Sequence, residues 1–232
     1  MNRVHIVCEG PSELAFVRDC LQPYANVRGV TISFDTLHGN VGYERVVDRV
    51  VNRLRQESNV TVTTFIDYYG RKSQNKWKYQ DAITSRLTSG AVMTGVEKCQ
   101  LLAEGMADVV VSRLKTYSMS AIRFVPFVCS YELEGLLFSA PEVLSQATEI
   151  PVSVLQQIVD SFAGLPEEIN DSPETAPSKR LEQLSREYTR SGYLKTISGP
   201  MAAGEMGIDT IRDKCPHFDK WLDKLGIPQH IT

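Results

Sequence analysis

The chain has 232 residues, of which 42% are hydrophobic and 23% are charged, and its formal net charge is −3 at pH 7. This composition excludes a largely disordered chain, and the length suits one sizeable domain or a domain with an appendage. No window approaches the roughly 18 apolar residues of a membrane span, and Glu9 interrupts the first apolar run too early for a secretory signal, so we expect a cytoplasmic protein without a membrane segment.

Four apolar segments rich in Val, Ile and Phe are predicted to form β-strands, at residues 4–8, 30–37, 60–66 and 122–128. Segments with helical periodicity lie between and after them, at residues 12–21, 43–56, 96–114, 132–138, 141–148 and 152–162. Alternation of this kind predicts an α/β fold with a mostly parallel sheet flanked by helices and a helical C-terminal part. We place the α/β core at residues 1–138 and the helical part at residues 139–232, with the apolar face of a last helix covering the core.

Basic residues are concentrated in two places. Arg45, Arg49 and Arg53 recur every four residues along one predicted helix, which fits either a phosphate-contacting face or an ordinary solvated face with ion pairs. The polar segment 71–78 mixes basic and aromatic residues, which fits either single-strand binding or a surface loop pinned by Trp77. Its basic members are Arg71, Lys72, Lys76 and Lys78.

A proline-bearing connection of unusual length runs over residues 164–179 and ends at Lys179 and Arg180. Ordered loops longer than about 12 to 15 residues are uncommon unless they carry a function. Lys179 could therefore meet a scissile phosphate, although a capped helix start with ordinary surface cations fits equally well.

Acidic residues follow three of the four predicted strands: Glu9 after the first, Asp67 after the third, and Glu132 with Glu134 after the fourth. In an open parallel sheet these positions lie at one edge, so the acids can converge. Clustered carboxylates repel one another unless a cation neutralises them, and Mg²⁺ or Mn²⁺ with oxygen ligands is the simplest such cation. Helix caps or solvated loop residues are the alternative interpretation of the same acids.

Other chemistries lack their signatures. Neither the dinucleotide-binding glycine motif nor a P-loop follows a predicted strand, and the nucleophile elbow of α/β-hydrolases is absent. The five cysteines and four histidines are scattered without metal-ligand spacing.

Five segments in order make the chain resemble a bacterial family of TOPRIM-like proteins of unknown function: CEGPSELAFV, TTFIDYYG, YELEGLLF, EEINDSPETAPSKRL and GPMAAGEMGIDTIRDKCPHFDKWL. The resemblance runs from about residue 3 to about residue 225. It implies the Rossmann-like TOPRIM fold, named for topoisomerase and primase, in which acids after the strands hold Mg²⁺. Relatives in the OLD nuclease family hydrolyse phosphodiesters with this arrangement.

Matched by position, Glu9 corresponds to the TOPRIM glutamate and Glu13 to the second acid of the EGxxE pattern. Asp67 corresponds to the acid after the third strand, where TOPRIM proteins often have DxD. Tyr69 stands in the second place of that pair, so one ligand is missing or comes from elsewhere.

The resemblance also assigns the acids of the fourth strand end. Glu132 and Glu134 correspond to the two acids of a family stretch that commonly reads HEFEALLF, and Tyr131 stands where the histidine would be. Arg212 and His217 belong to a further family motif, for which a structural role suffices.

Together the resemblance and the residues imply a Mg²⁺- or Mn²⁺-dependent nuclease acting on RNA, such as tRNA, or on DNA. Glu9, Asp67 and Lys179 would be catalytic, the five acids would hold metal, and Arg71, Lys72, Lys76, Lys78 and Arg180 would guide the nucleic acid. Similarity to the effector of the PARIS anti-phage system further implies a toxin beside an ABC-type ATPase. A non-catalytic regulatory subunit and a primase-like nucleotidyl transferase are the alternatives, and a homodimer is left open.

Overall fold

A parallel β-sheet forms the centre of the protein, as seen in a computed structural model that describes residues 2–39, 41–72, 76–117, 123–170, 172–189 and 192–230. Strand β1 (Asn2–Cys8) lies between β2 (Val30–Thr36) and a strand at Thr61–Asp67, with Cys8 opposite both Thr36 and Phe65. A separate two-stranded parallel ladder joins β3 (Val41–Gly42) to a segment at Arg71–Lys72. In chain order the strand at Thr61–Asp67 is β4 and Arg71–Lys72 is β5. The predicted strands at residues 4–8, 30–37 and 60–66 are confirmed within a residue or two.

The fourth predicted strand is interrupted. Two short strands, β6 (Phe124–Val125) and β7 (Val128–Cys129), both pair with β4, and Pro126 lies between them. Proline has no N–H to donate to the ladder. The Thr64 hydroxyl group fills the gap, since it accepts from the Phe127 N–H at 3.0 Å and donates to the Phe127 carbonyl at 2.8 Å. The predicted residue 122 lies outside the described residues.

The first helix is longer than predicted. It begins with α1 (Pro11–Phe16), passes through a π-helical turn (Val17–Leu21) and ends with α2 (Gln22–Asn26). Pro23 cannot donate the hydrogen bond of a regular α-helical turn, which accounts for the wider turn before it. The remaining helices are α3 (Tyr43–Gln56), α4 (Gln80–Thr88), α5 (Gly95–Lys115), α6 (Leu133–Leu137), α7 (Pro141–Thr148), α8 (Val152–Ser161), α9 (Pro177–Tyr188), α10 (Lys195–Met206), α11 (Ile208–Lys214) and α12 (Pro216–Lys224).

Helices cover both faces of the sheet. One core contains side chains of β1 together with α1 and the C-terminal helices, and the other contains side chains of β4 together with α3 and α5. The predicted capping by the last helix is confirmed: Trp221 stacks on Phe127 at 4.4 Å and on Phe65 at 5.4 Å, and its indole N–H donates to the Thr63 hydroxyl oxygen at 2.8 Å. Residues before and after position 138 therefore share one hydrophobic core. The division of the chain into an α/β core and a helical part at residue 138 stays a prediction.

The proline-bearing connection between α8 and α9 ties helices together. It contains two short 3₁₀ turns, Pro166–Glu168 and Pro173–Thr175. The Glu167 carboxylate accepts from the N–H groups of His217 and Phe218 at 2.8 and 2.9 Å, and the Glu168 carboxylate accepts from the Gly95 N–H at 2.7 Å. These acids satisfy the otherwise unpaired N–H groups at the starts of α12 and α5, so the first part of the connection is structural.

No helix in the described part of the chain combines the length and the apolar character needed to cross a lipid bilayer.

Candidate active site at the strand ends

Two acids meet where β1 and β4 end. Because the strands are parallel and Cys8 pairs with Phe65, Glu9 leaves β1 beside the last residues of β4. The Asp67 N–H donates to Oε2 of Glu9 at 2.8 Å. This bond orients the glutamate across the end of the sheet.

Asp67 in turn binds the start of helix α6. Its Oδ1 accepts from the Leu133 N–H at 2.9 Å, at the start of that helix, which brings Glu132 and Glu134 to the same edge. Glu134 is 1% exposed, and Oε2 of Glu132 accepts from the Ser178 N–H at 2.8 Å in the first turn of α9. The sequence-predicted convergence of acids is therefore what the structure shows.

Glu13 completes the acid cluster, which we define as Glu9, Glu13, Asp67, Glu132 and Glu134. It lies in the first turn of α1, where its Oε2 accepts from the Gly10 N–H at 2.9 Å. The side chain is buried, although an N-terminal capping glutamate is usually solvated. This capping glutamate is therefore also part of the acidic edge of the sheet.

The cation inside the acid cluster is Lys195, which sequence reasoning missed. Its Nζ lies 3.0 Å from Oε2 of Glu134 and 3.8 Å from Oδ2 of Asp67. It is the first residue of α10, the positive end of the helix dipole, where a lysine is unfavourable unless nearby acids compensate. A lysine at the start of a helix is the sequence feature that could have indicated acids nearby.

Lys179, the predicted catalytic cation, lies outside the acid cluster, in the lining of an open cavity that also contains Glu132. Its Nζ pairs with the Glu182 carboxylate at 2.9 Å, and its side chain is 54% exposed. The structure thus brings the five predicted acids together but places Lys195, and not Lys179, among them.

Burial and mutual repulsion favour protonation of the acids. Burial, followed by the charge of Glu13, raises the pKa of Glu9 to about 7, and burial raises the pKa of Glu134 to about 7 despite the nearby Lys195. Burial also raises the pKa of Glu13, and burial with the charges of Glu13 and Glu9 raises the pKa of Asp67 well above its usual value. For Lys195, burial lowers the pKa, but the acids around it, first Asp67 and then Glu134, outweigh this and raise it overall. The cluster is therefore short of positive charge.

The donor chemistry of the acid cluster fits a hard divalent cation. In four of its carboxyl groups one oxygen accepts a backbone N–H, which orients the group and would leave the second oxygen for a cation: Glu9, Glu13, Asp67 and Glu132. As the side chains stand, no three Asp, Glu, His or Cys residues of the described ranges are arranged to hold a metal ion. Binding would therefore need side-chain rotation and movement of the Lys195 ammonium.

Gly70 makes room for the Glu9 carboxylate. A Cβ at this position would lie 1.9 Å from Oε1 and 2.2 Å from Oε2 of Glu9. An alanine would therefore push aside the end of a flexible side chain without forcing the backbone to move.

We expect Gly70→Ala to weaken Mn²⁺ binding about ten- to a hundredfold, because the displaced Glu9 carboxylate loses its bond to Asp67. The midpoint of thermal unfolding should change little. Gly204→Ala is the matched control, since its nearest neighbour would be Sγ of Cys20 at an ordinary 3.7 Å. Calorimetric titration with Mn²⁺ measures both variants, and wild-type affinity in Gly70→Ala would contradict the assigned position of Glu9.

Most of the predicted nucleic-acid contacts are engaged within the protein. Arg71 is 3% exposed; its Nε donates to the Tyr68 carbonyl at 2.8 Å and its guanidinium lies over the Tyr68 ring. Lys78 is exposed but pairs with Asp108 at 2.7 Å, and Arg180 donates to the Thr175 carbonyl at 2.8 Å. Arg71 therefore holds a loop in place and is not available to a nucleic acid.

The other two predicted nucleic-acid contacts are Lys76 and Lys72. Lys76 is exposed, and the side chain of Lys72 lies outside the described residues. In the first basic group, Arg49 pairs with Asp35 and Arg53 with Glu57, both at 2.7 Å, as expected for a solvated helix face. Exposed charge near the site thus comes from fewer residues than the sequence indicated.

The motif residues Arg212 and His217 are structural. Arg212 pairs with Asp219 and Asp223, both at 2.6 Å, and His217 stacks on Phe127 at 4.9 Å. These contacts fix α11 and α12 against the core.

The fold and this acidic edge define an α/β protein with a parallel sheet and a carboxylate cluster at its strand ends. The sequence profile of DUF4276, a domain of unknown function, matches residues 8–226, and the chain belongs to that family. A family of unknown function that covers nearly the whole chain is what the sequence predicted, whereas the TOPRIM-like character and the similarity to the PARIS effector stay predictions. No curated protein matches the chain.

Two solved structures are similar to this chain, both of the C-terminal region of the OLD protein of Xanthomonas campestris pv. campestris. The one phased with platinum is 18% identical with a TM-score of 0.42, over 98% of this chain and 92% of that chain. The one phased with iodine is 16% identical with a TM-score of 0.42, over 98% and 96% respectively. The family description assigns no activity, so the function must be argued from the site.

Proposed function

We propose that this protein hydrolyses phosphodiester bonds of nucleic acid at the acid cluster, with Mg²⁺ or Mn²⁺ as cofactor. The observation that carries the proposal is the convergence of five carboxyl groups at the strand ends, of which Glu13, Asp67 and Glu134 are buried. Lys195 pairs with Asp67 and Glu134, and burial raises the pKa values of Glu9 and Glu134 to about 7. The sequence resemblance to TOPRIM proteins supports the same assignment, since Glu9, Glu13, Asp67, Glu132 and Glu134 are the matched acids.

The cofactor would be held by the acid cluster, where it would lower the pKa of a water molecule and neutralise charge on the phosphate. The chain itself would supply orientation and one cation. The Asp67 N–H group holds the Glu9 carboxylate, and the Leu133 N–H group holds α6 on Asp67. The Lys195 ammonium, now 3.0 Å from Glu134, would move toward a phosphate oxygen. Lys195 thereby takes the role that the sequence suggested for Lys179.

Incubation of the purified chain with tRNA, single-stranded DNA and duplex DNA tests the activity. We expect cleavage of at least one substrate with Mg²⁺ or Mn²⁺ and none with EDTA. If no substrate is cleaved, alone or beside an ABC-type ATPase partner, the nuclease proposal fails.

Metal affinity should increase with pH. The pKa values of Glu9 and Glu134 are raised from 4.5 to about 7, so protons compete with the cation below pH 7. Loss of two protons predicts Mn²⁺ binding about ten- to a hundredfold tighter at pH 8 than at pH 6. The same raised values mean that, without added cation, the free energy of unfolding falls as pH rises from about 4.5 to about 7. Calorimetric titrations at both pH values provide the measurement, and equal affinities would contradict it.

The resemblance further supports a role as a toxic effector in anti-phage defence, controlled by an ABC-type ATPase. Expression of the chain alone in bacteria should then arrest growth, and co-expression of the ATPase should relieve the arrest. Growth without arrest would count against an effector that is active by itself.

A non-catalytic regulatory subunit is the second candidate. It is favoured by Tyr69, which stands where a second acid would be and whose hydroxyl bonds to Asn170 outside the acid cluster. Metal binding without cleavage of any substrate would select this candidate. Incorporation of labelled nucleotide would instead reveal a primase-like transferase.

A further inference from the structure

An open cavity of about 780 Å³ adjoins the acid cluster. Glu132 belongs to both, and Tyr68 and Tyr69, which line the cavity, follow Asp67 directly in the chain. The volume falls in the range of small-ligand sites. Anything bound here would lie next to the proposed site of cleavage.

The wall of the cavity is aromatic. The rings of Tyr69 and Tyr131 lie 5.6 Å apart at an angle of 36°, and Tyr68 meets both rings edge-on at 5.6 and 6.1 Å. Tyr69 is partly exposed, whereas Tyr131 is 7% exposed and supports it from behind. Tyr69 therefore presents a partly exposed ring to the cavity, in contact with the buried ring of Tyr131.

The backbone is constrained to hold this wall in place. Tyr131 has a φ of 57°, a left-handed conformation that is unfavourable for a tyrosine. Gly95 permits the close approach, because a Cβ there would lie 2.6 Å from the Tyr131 ring. The unfavourable backbone conformation of Tyr131 and the glycine that accommodates its ring together hold the ring in a defined position, which an ordinary surface loop does not require.

The cavity also offers a polar edge and a cation. The Asn170 side-chain amide donates to the Tyr69 hydroxyl, and its buried Oδ1 meets no hydrogen-bond donor among the described residues. The Lys98 ammonium lies 5.9 Å from the centre of the Tyr131 ring. An aromatic face, an unused acceptor and an ammonium group are the complement of a nucleobase with amino groups and its phosphate.

We propose that this cavity binds an unpaired nucleobase of a single-stranded nucleic acid, stacked on Tyr69, with its edge toward Asn170 and its phosphate toward Lys98. The inference rests on the proposed nuclease function for the identity of the polymer. It makes single-stranded or looped nucleic acid the substrate class, because a base within a duplex cannot enter the cavity.

The test is binding of a 12-nucleotide single strand containing 2-aminopurine, measured by fluorescence in Ca²⁺, with strand integrity checked on a gel. We expect quenching on binding, and about five- to a hundredfold weaker binding of Tyr69→Leu, the range of one stacked base. Tyr69→Phe keeps the ring and should bind like the wild type. Tyr188→Leu, which removes an exposed ring at the far end of α9, is the matched control.

Two further binding measurements use only the wild-type chain, so they do not depend on whether a variant folds. A strand with a single abasic position placed across the cleavage site should bind more weakly than the intact strand, and a duplex of the same sequence should compete poorly. Equal binding of intact and abasic strands, or equal binding of Tyr69→Leu and wild type, would overturn the proposal. A free mononucleotide that binds as tightly as the strand would overturn the assignment to a polymer.

The inference and the proposed function can fail separately. If quenching depends on Tyr69 but no strand is cleaved in Mg²⁺, the proposal of a base-binding cavity stands and the proposed nuclease function is refuted. If metal-dependent cleavage is equal for single strand and duplex and is unaffected by Tyr69→Leu, the proposed nuclease function stands and the proposal of a base-binding cavity is refuted.

Discussion

Replacing Glu9 by glutamine is expected to lower metal-dependent cleavage by about a hundredfold or more while leaving the fold intact. The amide oxygen can still accept the Asp67 N–H, which Oε2 of Glu9 accepts at 2.8 Å. The second oxygen becomes an NH₂ group, which cannot bind a cation, and charge stabilisation by the metal is worth several kcal/mol. Removal of one repelling charge should leave the unfolding midpoint unchanged or raise it.

Glu205→Gln is the control for this variant, because Glu205 is an exposed acid on α10, outside the acid cluster. Initial cleavage rates, Mn²⁺ titrations and thermal unfolding should be measured side by side. Loss of cleavage together with Mn²⁺ affinity supports the metal site. A Glu9→Gln variant that cuts at the wild-type rate would refute it.

Replacing Lys195 by methionine should impair both stability and cleavage. The ammonium lies 3.0 Å from Glu134 and 3.8 Å from Asp67, which are 1% and 4% exposed in their side chains, and its removal leaves those buried charges without a counter-ion. Because the Lys195 side chain is itself 36% exposed, we expect a loss of about 1–3 kcal/mol in the free energy of unfolding at pH 8. The loss should be smaller at pH 6, where acids with raised pKa values take up protons instead.

Cleavage by Lys195→Met should fall about a hundred- to a thousandfold, the usual effect of removing one charge-stabilising group from a reaction centre. Lys195→Arg retains the charge and should retain most of the stability. Lys179→Met tests the sequence-based assignment directly: its Nζ pairs with Glu182 at the surface, so we expect a change below about 0.5 kcal/mol and a far smaller effect on cleavage. A larger effect at Lys179 than at Lys195 would restore the sequence-based assignment.

Added Mn²⁺ should offset the stability lost in Lys195→Met, because the cation takes over the neutralisation of the acids. Unfolding midpoints with and without Mn²⁺ at pH 8 provide the comparison. If Mn²⁺ raises the midpoint of the wild type but not of the variant, Lys195 would be needed to build the site and not merely to neutralise it.

Local patterns in the sequence determined the elements and the acidic edge of this protein. Helix α3 begins and ends at the predicted residues 43 and 56, and the acids after β1 and β4 lie together because parallel strands end on one side of a sheet. Periodicity, β-branched content and capping residues express short-range physics, so they can be interpreted without the fold. Most other predicted boundaries differ by one or two residues, apart from the interruption at Pro126 and the continuation of the first helix past Leu21. The elements that were not predicted are β3, β5, α4, α9, α10 and α11.

Tertiary structure alone decided which charges meet. Lys195 enters the acid cluster because α10 packs against α6, and Tyr131 lies beside Tyr69 because β7 pairs with β4. Arg71 is held in β5, which pairs with β3. Each of these depends on the docking of segments distant in sequence. The burial that results, and not any local pattern, is what raises the pKa values of the acids and makes them a candidate site.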